Sequence, residues 1–353
     1  MALRTHPSQA TPAPGRPPAR DMVWIPAGRF RMGDDHHYPE EAPAHEVEVE
    51  GFWMDRAPVT NAQFLKFVKA TGHITLAEQP ADPADYPGAG PDQLQPASIV
   101  FVPPSQPVPL DDIHRWWRYV RGANWRHPEG PGSSIKGRDR HPVVHIACAD
   151  AEAYARWAGK RLPTEREWER AARGGLEGKV YAWGDALHPG GRPLANTWQG
   201  PFPHHNTCLD GFAGTSPVGS YPANPYGLVD MIGNVWEWTA DWYRSGHQPV
   251  AAPRGSEGGR DGGGGDGGDR SGDRGSDDGG DGGCCQASER ARQASIDPHS
   301  EHGLIPRRVV KGGSYLCAPE YCRRYRPAAR MAQGIDTSTG HLGFRCVATR
   351  EQP

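Results

Sequence analysis

Between Gly255 and Gly283, 15 of 29 residues are glycine and seven are aspartate. Such a stretch has almost nothing apolar to bury, so it cannot offset the conformational entropy that ordering would cost. The segment from about 245 to 305 therefore reads as a disordered insertion in a loop. A calcium-binding β-roll also combines Gly with Asp. It needs an aliphatic residue at a fixed place in each repeat, and none occurs here. Any globular fold must then be assembled from about 21–245 and about 305–350. Loop-closure entropy grows slowly with length, so the sequences flanking the insertion can still be spatial neighbours. The vicinal Cys284 and Cys285 sit at its end, and no role follows for them.

The remaining composition narrows the class. The chain has 353 residues, a formal net charge of −3 and a pI of about 6.6, so neither a nucleic acid nor a membrane surface is the implied partner. Hydrophobic content is 36%, with 46 Gly, 36 Pro and 12 Trp. That mixture points to a loop-rich domain whose core rests on a few large aromatic side chains. No apolar run approaches the ~18 residues of a membrane span. Residues 1–20 are rich in Pro, Ala and Arg without an apolar stretch, and read as a disordered tail rather than a secretory signal. Seven irregularly placed cysteines do not form a disulfide framework, which favours a reducing cytoplasm.

Local patterns place a few elements. Met22 to Gly33 alternates and carries glycines, predicting a short hairpin, and His45–Glu50 alternates as a half-buried strand. Thr60 is placed to cap a helix with an apolar stripe of Phe64, Leu65, Phe67 and Val68, ended by Gly72. Residues about 80–110 are rich in Pro and Asp and predict an extended surface loop. Asp150 is expected to cap a second helix burying Tyr154 and Trp157. Thr164 and Glu167 form a capping box opening a third, with Trp168, Ala171 and Ala172 inward. Strand-like sequence resumes at Arg308–Tyr315, and His341–Val347 reads as a final core strand.

Most familiar chemistries are excluded. No Gly-x-Ser-x-Gly elbow follows a strand, and no Rossmann or Walker glycine pattern precedes a helix. No paired CxxC motif or His-x3-His with a following carboxylate offers zinc a site. The doublets His36-His37 and His204-His205 fall in loops and read as solvated. What remains is Cys317 and Cys322, followed by Arg323, Arg324 and Arg326, which favour thiolate over thiol. Two thiolates without imidazole or carboxylate company form a soft, low-coordinate site that suits Cu(I) better than zinc. A structural disulfide and two buried core cysteines are the alternatives, and spacing leaves all three open. In the run Val235–Tyr243 the tryptophans read mainly as core. Glu237 and Asp241 among them need a cation or hydrogen-bond donors if buried.

Six segments occur in a telling order: Trp24-Ile25-Pro26-Ala27-Gly28, Pro58-Val59-Thr60-Asn61, Gly159-Lys160-Arg161-Leu162-Pro163-Thr164-Glu165, Gly233-Asn234-Val235-Trp236-Glu237-Trp238, Gly312-Gly313-Ser314 and Gly343-Phe344-Arg345. Over about residues 21–349 the chain closely resembles the formylglycine-generating enzymes, or sulfatase-modifying factors, of bacterial type. The resemblance implies an α+β, C-type-lectin-like fold with low regular secondary structure, in one domain over 21–350 interrupted by the insertion. It implies an oxidase that uses molecular oxygen and Cu(I) to convert a cysteine of a sulfatase, within Cys-x-Pro-x-Arg, to Cα-formylglycine.

Residue by residue, Cys317 and Cys322 fall on the family's copper-binding pair, Ser314 on an active-site serine, and Trp236 on a wall of the substrate groove. The family also binds Ca2+ at two sites. Asn196, Thr197, Asp210 and Phe212 match the first; Asp230, Gly233, Val235 and Glu237 match the second, with side-chain and carbonyl oxygens suited to a hard cation. The expected partner is an unfolded or nascent sulfatase polypeptide, with the enzyme itself a cytoplasmic monomer. Secreted animal members carry two disulfides, and three of the four matching positions here are Ala155, Ala172 and Pro327, leaving only Cys346. Cys148 and Cys208 receive no role. Two competing readings are a non-catalytic lectin-like domain binding peptide or sugar, and an iron-dependent oxidase of small thiols.

Overall fold

The computed structural model describes residues 13, 15–247, 282–299 and 304–349, with the side chains of 282–287 left undescribed. Most of the expected N-terminal tail and the glycine-rich core of the insertion, including the side chains of Cys284 and Cys285, lie outside these residues.

Fifteen strands and α-helices are spread thinly over the described chain. In order they are β1 (Met22–Ile25), β2 (Gly28–Met32), β3 (His45–Val49), β4 (Phe52–Asp55), α1 (Asn61–Thr71), β5 (Ala97–Phe101), β6 (Trp117–Arg121) and α2 (Cys148–Trp157). They continue with α3 (Glu165–Arg173), β7 (Trp236–Trp242), α4 (Gly282–Ala294), β8 (Arg307–Lys311), β9 (Arg330–Gly334), β10 (Leu342–Gly343) and β11 (Val347–Ala348). Long irregular segments link them, which makes this an α+β fold with little regular structure. The strands form a four-stranded sheet β10-β7-β8-β9, a three-stranded sheet β1-β4-β11, and two separate pairs, β2-β3 and β5-β6.

Capping chemistry explains where two helices begin. The Thr60 side chain accepts from the Gln63 N–H while Gln63 Oε1 accepts from the Thr60 N–H at 2.8 Å, and Gly72 ends α1 at a φ of 70°. The same reciprocal pair joins Thr164 and Glu167 at the start of α3, where Trp168, Ala171 and Ala172 are buried as expected. The Asp241 carboxylate accepts the Glu165 N–H at 2.6 Å, which accounts for one of the two carboxylates set among tryptophans.

Four expectations are corrected. Met22–Gly33 is not a hairpin: β1 pairs with β4 and β2 with β3, each antiparallel. Part of the supposed loop 80–110 is strand β5, antiparallel to β6, because Ala97, Ser98 and Val100 find burial that local composition does not advertise. Asp150 lies inside α2, and its carboxylate accepts the N–H of the true cap residue, Ala147; Trp157 is 44% exposed. Within the insertion, Gly282–Ala294 is helical, and the Ser295 and Asp297 that follow bind the Arg307 side chain.

The insertion nonetheless leaves its flanks together. β7 and β8, on either side of it, are antiparallel neighbours with Glu237 opposite Lys311. Beneath this sheet lies a buried ionic layer. Lys311, fully buried, reaches Glu169 at 3.0 Å and Glu165 at 3.5 Å; Arg330 binds Glu165, and Arg173 binds Glu169. Burial alone would raise the Glu169 carboxyl, but Lys311 and Arg173 outweigh it and hold its pKa at about 2. This layer fixes the end of β8, from which the reactive loop departs.

Candidate active site

Two glycines turn the chain out of β8. Gly312 has a φ of 96°, and a Cβ there would lie 3.1 Å from Trp168 and from the Met231 carbonyl. Gly313 has a φ of 70°, and a Cβ would lie 2.9 Å from the Arg324 carbonyl oxygen and the Tyr325 nitrogen. The absence of side chains at this crossing lets the segment before Cys317 pass directly over the segment after Cys322. Turns then bring the cysteines face to face: the Cys317 N–H donates to the Ser314 carbonyl at 3.0 Å, and the Cys322 N–H to that of Ala318 at 2.9 Å.

The two Sγ atoms stand 3.0 Å apart, and both cysteines are free. A disulfide would hold the sulfurs at about 2.05 Å, so this is a hydrogen-bonded dithiol. Cys317 is buried and Cys322 half-buried. Burial, and then its neighbour's charge, push the Cys317 thiol up; the S–H donated by Cys317, assisted by Arg324, pulls Cys322 down. The pair therefore shares one proton readily, with the negative charge on the more exposed sulfur. Arg324 is fixed by Glu40 at 2.6 Å and by the face of Tyr38, 3.9 Å from the ring centroid. That anchor, supplied from residues nearly 290 positions earlier, is not visible in the local sequence.

Ser314 is brought to the pair as expected. It is buried, and its N–H points at Cys317 Sγ, 3.4 Å away. Trp236 is brought near but in a different capacity: it is 1% exposed and packs in the main core with Cys317. Its ring backs the site instead of walling an open groove. The aromatic side chains with open surface beside the thiol segment are Trp117, Tyr315 and Tyr321. Tyr321 stacks on Phe202 at 4.5 Å, and a cavity of about 350 Å³ opens next to them, lined by His188, Trp198, Pro319, Glu320 and Tyr325 among others. Its lining mixes apolar side chains with the polar groups of His188, Thr197, Gln199 and Glu320.

The residues matched to cations gather in loops behind this cleft. Asn196 Oδ1 is buried without a hydrogen-bond partner, while the Asp210 carboxylate accepts the N–H groups of Thr197 (3.0 Å) and Phe212 (3.1 Å). Burial raises the Asp210 pKa. An orphaned buried oxygen beside a destabilised carboxylate is what a hard cation would relieve, so this first set fits calcium. In the second set, Asp230 Oδ1 is likewise orphaned, and burial raises Asp230 to about 6. Glu237 is engaged differently: its oxygens accept from Arg345 Nε and Nη2 at 2.7 and 2.8 Å and from Trp168 Nε1 at 2.7 Å. Asp230 and the carbonyls of Gly233 and Val235 therefore fit a cation better than the Glu237 carboxylate does.

Two features escaped the sequence reading. Asp34, His37 and Glu41 cluster with metal-like spacing, but Arg326 already binds Glu41 through two nitrogens and approaches Asp34 to 4.0 Å, so the charge is answered internally. His341 Nδ1 lies 3.1 Å from Ser314 Oγ. Its position next to a recognised motif was the available signal.

Comparison with known proteins agrees with this arrangement. A sulfatase-modifying factor enzyme 1-like domain matches residues 7–350. The formylglycine-generating enzyme of Mycobacterium tuberculosis is 51% identical over 93% of this chain and 97% of its own length. That of Streptomyces coelicolor is 44% identical over 96% and 93%. Among solved structures, PvdO from Pseudomonas aeruginosa shares the fold with a TM-score of 0.53 at 23% identity, covering 94% of this chain and 96% of PvdO. With a free dithiol at the motif position and near-complete coverage by these relatives, the chain belongs to the formylglycine-generating enzyme family.

Proposed function

We propose that this protein is a copper-dependent oxidase that converts a cysteine in a Cys-x-Pro-x-Arg segment of sulfatases to Cα-formylglycine with molecular oxygen. The observation that carries the reading is the Cys317–Cys322 pair, free, 3.0 Å apart and open on the Cys322 side. Two facing sulfurs with no nitrogen or carboxylate ligand beside them are a donor set for Cu(I). When bound, copper would supply the one-electron and oxygen chemistry that thiols alone cannot.

The chain's own residues have distinct tasks. Cys317 and Cys322 would hold the metal, and Cys322, stabilised as thiolate by the Cys317 S–H and by Arg324, is the more open of the two toward an entering substrate thiol. The Ser314 N–H fixes Cys317 Sγ, and its hydroxyl orients a polar atom beside it. Trp117, Tyr315 and Tyr321 offer apolar surface to an extended peptide. Asn196, Thr197, Asp210 and Phe212 would hold one calcium ion and Asp230 with Gly233 and Val235 a second, bracing the loops behind the cleft, while Glu237 is held by Arg345 and Trp168. The partner is a nascent or unfolded sulfatase, since the target motif must enter as extended chain. The five cysteines among the described residues are all free, which fits a reducing compartment, the cytoplasm, and a monomer suffices for the chemistry.

The test is incubation of the copper-loaded protein with a Cys-x-Pro-x-Arg peptide and oxygen. Mass spectrometry should show conversion of cysteine to aldehyde, dependent on both thiols. A fully copper-loaded protein that leaves the peptide unchanged would overturn the proposal.

A further inference from the structure

Ser314 is fully buried, so its hydroxyl proton has to find an acceptor inside the protein. Its Oγ already accepts the Leu316 N–H at 3.2 Å. Among the described residues the only hydrogen-bond acceptor within reach of that hydroxyl is His341 Nδ1, at 3.1 Å. The donor and acceptor inventory then decides the tautomer: Ser314 O–H donates to Nδ1, and the imidazole carries its own proton on Nε2.

The imidazole is held for this purpose. Trp117 packs edge-on at 4.8 Å between ring centroids, and the His341 carbonyl accepts the Trp236 N–H at 2.8 Å, tying it to strand β7. Burial, reinforced by His145, depresses its pKa to about 3, so the ring is neutral throughout the working range. A ring with that pKa has no proton to donate as a general acid at neutral pH and is only a weak base. What a neutral ring can do is hold a neighbour in one orientation.

We propose that His341 is a positioning residue of the thiol site: its Nδ1 takes the Ser314 hydroxyl proton, so that Ser314 Oγ presents a lone pair, not a proton, beside Cys317. The serine becomes a fixed acceptor in the buried floor of the thiol site, behind Cys317. This assignment rests on the formylglycine-generating reading for its activity assay, but the tautomer stands independently of it.

The experiment has two arms on the full-length, copper-loaded protein. In the first, ¹⁵N NMR of the His341 ring at neutral pH should report the Nε2–H tautomer; an Nδ1–H tautomer overturns the proposal whatever the activity. In the second, peptide oxidation is compared across substitutions. Asn places its Oδ1 near the position of Nδ1, whereas Gln reaches toward that of Nε2. His341→Ala and His341→Gln should lower kcat about 10-fold with little change in KM, and His341→Asn should recover most of the loss. In a Ser314→Ala background the His341→Ala change should cost less than about 2-fold, because the two residues act as a unit. Additive losses, rescue by Gln but not Asn, or loss of copper binding in His341→Asn would each overturn the proposal. A wild-type protein with the Nε2–H tautomer and no activity would instead overturn the proposed function and leave the positioning contact intact.

Discussion

Lys311 and Cys317 are six residues apart on one segment, yet their surroundings are opposites. Lys311 closes β8 in a layer where Glu165, Glu169, Arg173 and Arg330 answer one another, buried and paired. After the Gly312-Gly313 turn, Cys317 enters a region with a thiol pair sharing a proton and, behind the cleft, orphaned oxygens on Asn196 and Asp230. The difference teaches how the molecule divides its work. Where polar groups are satisfied the chain is scaffold; where they remain unsatisfied, it is prepared for something that arrives from outside.

The sharpest way to break this comparison is to remove a sulfur. Cys317→Ala or Cys322→Ala should reduce peptide oxidation by on the order of 10³-fold or more while leaving the melting temperature nearly unchanged. A large loss of stability would show that the dithiol is scaffold after all.

Lys311→Met should behave in the reverse sense. It strands Glu165 and Glu169 without their shared cation, and breaking such buried pairs costs about 3–5 kcal/mol. Urea denaturation should register this as a lower midpoint at unchanged slope. A shift below ~1 kcal/mol would mean that water relieves the layer, contrary to its burial.

Calcium removal comes next. At a calcium concentration of 100 times Kd, binding to the native state alone adds about 2.7 kcal/mol, so a chelator should lower the melting temperature and added calcium restore it. Asp210→Ala should lose the first site's share of that response. An equal response in wild type and variant would place the cation elsewhere.

The smallest effects are in pH. Glu169, with its pKa depressed to about 2, contributes stability that is complete above its ordinary value of 4.5 and is lost as pH falls from there toward 2. Asp230, raised to about 6, works the other way. Its buried charge penalises the calcium-free fold above pH 6, and the penalty is relieved as pH falls toward the ordinary value of 3.8. Thermal scans without calcium should therefore show a shallow stability maximum at about pH 4, where the two slopes cancel, and calcium should flatten its neutral side. If the maximum persists unchanged in Asp230→Asn, the assignment to Asp230 is wrong.

The legible and illegible parts of the fold separate by range. Helices α1 and α3 could be placed from Thr60 and Thr164 because a capping box is complete within four residues. Strand β3 followed from its own alternation. The partners of β1 and β2 did not, since either could equally have closed a hairpin, and β5 was hidden in a Pro-rich stretch whose burial comes from elsewhere. Trp157 and Trp236 show the same limit: both look like large apolar side chains in the sequence, and one is 44% exposed while the other is 1% exposed.

For the site, the sequence by itself offered the thiol pair and the following arginines with their role left open, and the family resemblance added Ser314. These are covalently near one another, so chain geometry alone keeps them together. Tertiary structure decided the rest: the Glu40 anchor of Arg324, the Arg345 that engages Glu237 across 108 positions, the interior placement of Trp236, and the His341 contact to Ser314. Those depend on closing loops of tens to hundreds of residues. Their energies are set by burial and by partners that no local pattern encodes.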